Sequence, residues 1–95
     1  MPKVSSKIDK QKLKNLKQKL AIVNFLVFDT KNDLEQVNKI ISDTIEMNRS
    51  DLNYMIPKLE IIRDNTIIPF LEQSLEKSEE IQMEILELEQ KTPKD

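Results

Sequence analysis

Seven glutamates crowd one stretch of this chain: Glu72, Glu76, Glu79, Glu80, Glu84, Glu87 and Glu89. Glu76, Glu79, Glu80 and Glu84 share helical spacing, and carboxylates on neighbouring turns can hold a cation or pass a proton. The chemistry they need around them is missing. Carboxylate-bridged di-iron bundles use Glu-x-x-His, and this chain has no histidine. No oxygen-rich loop of the EF-hand type is present to organise calcium or magnesium. These glutamates are therefore expected to form a solvated acidic face.

The second candidate group is basic. Lys3, Lys7, Lys10, Lys12, Lys14, Lys17 and Lys19 face a single acid, Asp9, within the first 19 residues, a net of +6. Clustered lysines can neutralise phosphates, which makes this arm a candidate for nucleic-acid binding. Against that reading, the arm has no arginine for bidentate base contacts and no aromatic ring for stacking. The simpler expectation is a solvated face, or a partner for the acidic stretch.

Four residue types are absent altogether: glycine, histidine, cysteine and tryptophan. Phosphate-cradling loops and tight primed hairpins lean on glycine. Zinc sites, Ser-His-Asp triads and thiol nucleophiles need the others. Acid–base work would fall to Asp, Glu, Lys and Tyr54 alone, with no convergent pocket indicated. No catalysis, metal or cofactor is expected. Without cysteine no disulfide can staple the fold, so burial must hold it together.

The elements that position these groups are read from spacing. Leu13, Leu16, Leu20, Val23 and Val27 succeed one another by 3, 4, 3 and 4 residues. The same frame passes through Thr30 to Leu34, Val37 and Ile41. This is a heptad series with one polar defect, the mark of packed and slightly supercoiled helices. It predicts a long helix over about 5–47, bent if anywhere at the cap-forming residues of 29–33. Asn48-Arg49-Ser50-Asp51 then breaks the pattern, with Ser50 as N-cap of a helix over about 51–64. Pro57 lies too deep for that helix's first turn and should bend it or end the turn before it. Asp64-Asn65-Thr66 reads as a second break, with Thr66 as cap and Pro69 in the first turn of the last helix.

From Ile67 the spacing 4, 3, 4, 3, 4, 3 resumes through Leu71, Ser74, Ser78, Ile81, Ile85 and Leu88. This last helix should end near residue 91, before Thr92-Pro93, with 92–95 as a disordered tail. The Ser74/Ser78 pair would allow close helix approach but reads first as a weakened seam. No stretch makes a convincing strand. The expected fold is all-α: a long antiparallel helical hairpin or a three-helix bundle with coiled-coil-like seams, in a single domain over 1–91.

Folding back near residue 50 sets the basic start beside residues 72–90, whose seven glutamates and one lysine sum to −6. Exposed ion pairs are worth only about 0–1 kcal/mol each, so they set register more than stability. Residues 20–28 carry apolar side chains on nearly every side, and one seam cannot bury a full circumference. Either the third helix covers the remainder or a second chain does. Asn24, inside that run, is a register-fixing polar residue or an exposed one. The connector at 48–52 is a further candidate, as an exposed tip.

These features predict a non-catalytic protein–protein interaction module, a small helical subunit or adaptor, meeting another protein or a second copy of itself. Leu20, Val23, Phe25, Val27, Phe28, Ile81, Ile85 and Leu88 are the expected interface. A small regulator of a larger protein (an inhibitor, immunity protein or chaperone) is the alternative, and nucleic-acid binding through Lys7, Lys10, Lys12, Lys14, Lys17 and Lys19 the second alternative. The longest apolar run, 20–28, is far below the ~20 residues of a membrane span, and no small-residue cleavage site comes after it. An intracellular, cytoplasmic setting is expected.

Overall fold

The computed structural model describes residues 2–91, with side chains from Lys7 onward, and the tail expected at 92–95 lies outside the described residues. In chain order it contains α1 (Pro2–Met47), a 3₁₀ turn (Ser50–Leu52), α2 (Met55–Ile62), a π-helical turn (Arg63–Ile67) and α3 (Ile68–Lys91). Among the described residues there is no strand. α3 returns antiparallel along α1, and the protein is an extended all-α helical hairpin. It measures 72 × 19 × 15 Å, with a radius of gyration of 20.8 Å; a compact chain of this length would have about 12 Å. The length comes from the 46 residues of α1, which at a rise of ~1.5 Å per residue make a rod of about 69 Å.

The heptad beat is the packing seam. Every member of the frame from Leu13 to Ile41 is buried or half-buried, Thr30 included, and the frame continues to Thr44. On the π turn and α3 all seven frame positions from Ile67 to Leu88 are likewise shielded. Residues 29–33 do not interrupt α1. Thr30 falls in the seam, whereas Asp29, Asn32 and Asp33 face water, where poor helix propensity costs a few tenths of a kcal/mol each. Thr44 satisfies its buried hydroxyl by donating to the Ile40 carbonyl at 2.7 Å.

The apolar core lies at the open end of the hairpin. Leu16, Ile81, Ile85 and Leu88 form it, with Leu13, Leu20 and Val23 packed around them. Towards the bend the seam turns polar at Ser78, Ser74 and Thr30. Ser78 donates to Asn24 Oδ1 across the seam at 2.9 Å and accepts from Gln82 Nε2 at 3.0 Å. Asn24 is thus an exposed side chain that nevertheless bonds across to α3. Among the described residues no buried side-chain polar atom lacks a partner.

The bend begins where the sequence breaks, after Met47, and then departs from the sequence expectation at Ser50, at Pro57 and at Asp64-Asn65-Thr66, each for a backbone reason. The chain leaves α1 through Asn48, at φ 53°, the left-handed conformation that commonly ends helices. Glycine is the usual residue there; in a chain without one, asparagine is the next best tolerated. Asn48→Ala is expected to lower stability by ~1 kcal/mol and Asn48→Gly to hold or raise it, as measured by urea unfolding. Ser50, in turn, caps no α-helix. It opens the 3₁₀ turn, with Leu52 and Asn53 amides donating to the Arg49 and Ser50 carbonyls at 3.0 and 3.3 Å. The α-helix begins only at Met55, which puts Pro57 in its first turn. There the missing N–H costs nothing, whereas in a helix starting at Asp51 the ring would strike the carbonyl of Asn53.

The third departure is at Asp64-Asn65-Thr66, which is not a break. α2 runs through the π turn into α3, and the Ile68 amide reaches back five residues to the Arg63 carbonyl. Widening by one residue just before Pro69 makes room for its ring inside a continuous helix. Thr66 accordingly caps nothing. Arg63 anchors this turn, donating to Asn38 of α1 at 3.0 Å and to Asp64 at 2.9 Å.

Candidate functional site

The sequence offered a seam, an over-apolar stretch, a basic arm and a connector tip. The seam is spent inside the chain. Leu20, Val23, Val27, Ile81, Ile85 and Leu88 are all buried or half-buried between α1 and α3, Ile81 to 3 % exposure. The other two expected interface residues stand apart from them. Phe25 is 66 % exposed and Phe28 is 72 % exposed.

These two rings belong to a second apolar stripe on the outer side of α1. Heptad geometry puts Val23 and Val27 against α3, and Phe25 opposite them, pointing away from the seam. Ile22, 62 % exposed, and Phe28 flank it on either side. The third helix does not cover this stripe. α2 lies at the bend, tied to α1 through Arg63 and Asn38, fourteen residues further along α1 from Asn24. The register of the hairpin, fixed by Asn24 with Ser78 and by Lys17 with Glu89, leaves none of the described residues over the outer face of residues 21–28. A whole-circumference apolar stretch thus has one face buried and one open.

A second apolar surface lies at the bend. Tyr54, Ile61, Ile62 and Phe70 are exposed there, and no residue of α2 is buried. Only the doubled isoleucines of Ile61-Ile62 signal this surface in the sequence: two adjacent positions cannot both face one seam. The tip itself is self-satisfied. Arg49 donates to both carboxylate oxygens of Asp51, at 3.1 and 2.6 Å, and that fork holds the Asp51 carboxyl below the usual aspartate range. A group whose folded pKa is depressed contributes stability above its unfolded value and loses it as pH falls through the folded one. Both side chains are fully exposed, so the readout is local. The Asp51 carboxyl should titrate by NMR below ordinary aspartate, and return to the ordinary value in Arg49→Ala.

The basic arm lies along α1 with its lysines in water. Lys7, Lys10, Lys14 and Lys17 run down one flank at helical spacing, with Lys12 and Lys19 on the other; all six are exposed. The acidic helix lies beside them, as the folded-back charge pattern implied. Lys17 Nζ is 3.7 Å from Glu89 Oε2, and Lys12 shares a groove with Glu84 and Glu87 above Leu16 and Leu88. A phosphate approaching the arm meets this acidic neighbour too. Among the described residues no group of three or more carboxylates is placed to hold a metal ion. None of the described helices is long and apolar enough to cross a membrane.

Comparison with protein-family models, curated proteins and solved structures returns no match for this chain.

Proposed function

We propose that this protein is a non-catalytic protein–protein interaction module, a small helical-hairpin subunit or adaptor that works by packing open helix faces against another chain. One observation carries the reading. Phe25 and Phe28, with Ile22 beside them, stand open on the outside of α1 at the level where its inner side is committed to α3. Scattered exposed apolar side chains are ordinary, but a contiguous aromatic and aliphatic patch on one helix face is the kind of surface that marks an interaction site. Burial of such a patch is worth ~25 cal/mol per Å² of apolar area removed from water. The rod also offers few polar groups convergent enough for chemistry, and its charged flanks would orient a partner.

The acidic helix beside the lysines favours a protein partner over nucleic acid, because it offsets the field a polyanion would need. The test is a photo-crosslinking amino acid placed at Phe28, with Gln90 as a control position at the far end of α3. Crosslinks at 28 and none at 90, whether to another protein or to a second copy, support the reading. Equal labelling at both positions, or none at either, overturns it. If the arm did bind nucleic acid, a low-salt mobility shift would vanish when Lys7, Lys10 and Lys14 are changed to glutamine. No shift is expected with the unaltered chain.

A further inference from the structure

We propose that the open face of α1 is closed by a second copy of the same chain, packed antiparallel about a two-fold axis passing beside Phe25. This rests on reading that face as a docking surface, and it names the occupant from the charge and residue pattern along α1.

The pattern is self-complementary. An isologous interface requires each residue on one side of the axis to meet a suitable residue from the other side. With the axis at Phe25, the two Phe25 rings meet each other and Ile22 of each copy meets Phe28 of its mate. One turn further out Gln18 faces Asn32, two amides able to hydrogen-bond. Beyond these, Lys14 comes to the level of Gln36, one residue past Glu35, and Lys7 to that of Asp43. All of these side chains are exposed in the hairpin. The helix is charged to suit: residues 7–19 hold six lysines and one acid, whereas residues 29–46 hold five acids and two lysines. A parallel pairing would set lysines on lysines and acids on acids, so the antiparallel one is selected. The axis of charge symmetry and the centre of the apolar patch coincide at one residue, and nothing in the hairpin's own fold requires that.

The contact would be modest. From Lys14 to Glu35 the helix is about 32 Å long at ~1.5 Å per residue, and one helix face buries less than the ~800 Å² per partner of a standard interface. A contact of that size suits a concentration-dependent dimer rather than a permanent one.

The test uses the full chain. Sedimentation equilibrium from about 1 to 500 μM should show monomer passing to dimer. Phe25→Glu combined with Phe28→Glu should weaken association at least ~100-fold, since aromatic anchors at an interface centre commonly cost more than a factor of ten each, while circular dichroism, and melting at concentrations where the parent is monomeric, stay as in the parent. Register is read separately. The chain has no cysteine, so Gln18→Cys and Asn32→Cys proteins can be mixed under oxidation. The mixed disulfide should exceed both self-disulfides several-fold. A parent that stays monomeric at 500 μM, a dimer indifferent to the Phe25/Phe28 changes, or self-disulfides in excess each overturn the dimer. A strictly monomeric parent that still crosslinks to a different protein at position 28 removes the dimer and leaves the adaptor reading standing; a monomeric parent with no crosslink there removes both.

Discussion

Ile81→Ala should lower the unfolding free energy by ~2–5 kcal/mol, the cost of emptying a buried aliphatic site, and abolish the cooperative thermal transition near physiological temperature. Ile81 is the most buried side chain described, at 3 % exposure, and it joins Leu16 to Ile85 and Leu88 in the core at the open end. A domain of this size is stable by ~5–14 kcal/mol. A two-helix rod in which no described side chain is wholly sealed from water belongs at the low end of that range. Losing one core residue therefore removes a large share of what holds the ends together. Phe25→Ala, on the open face, should shift the monomer's unfolding free energy by less than ~0.5 kcal/mol. Urea unfolding of both variants at low protein concentration checks the contrast. Equal effects from the two would mean that the seam does not carry the fold.

The opposite sign is expected at the polar part of the same seam. Changing both Ser74 and Ser78 to leucine should raise stability by ~2 kcal/mol and cost the hairpin its single register. Both serines are buried, at 7 % and 5 % exposure. Two leucines bury ~1.5–3 kcal/mol each of apolar transfer energy. Against that stand a lost hydrogen bond to Asn24, ~0.5–1.5 kcal/mol, and crowding of ~1–3 kcal/mol. The gain wins because the edges of a two-helix seam are open, so a longer side chain can lean outwards. Specificity is the loss, since a polar seam residue bonded across to one partner disfavours slipped and oligomeric pairings. Thermal melts should rise while sedimentation shows species beyond those of the parent. A lower melting temperature would show the serines to be there for tight helix approach instead.

Several features of this molecule were legible in the residues alone. The interval pattern of Leu13 to Ile41 and of Ile67 to Leu88 named the buried stripe of both long helices, down to Thr30, because a side chain's direction on a helix is fixed by its position in the turn. The opposite charges of the two chain ends foretold their neighbourhood, and the Lys17–Glu89 pair is part of it. The bend was read less well. Pro57 marks a bend or a break and Pro69 reads as a harmless first-turn residue, but the chain's solution is a matter of backbone hydrogen bonding over several residues: a fresh α-helix starts just ahead of Pro57, and a π turn lets the helix continue through Pro69.

Helix and seam follow from the period of the apolar residues, and the meeting of the two charged ends from the placement of charge. Which side of residues 20–28 is left over depends on the packing of the whole hairpin. Composition showed an excess of apolar surface there, but not whether α2 would return to cover it. The short connection, the Asn48 turn and the Arg63–Asn38 anchor hold α2 at the bend, too far along the rod to reach Phe25. A surface becomes open or closed through the path of the chain between its elements, and that path is set by contacts distant in sequence, which no local pattern encodes.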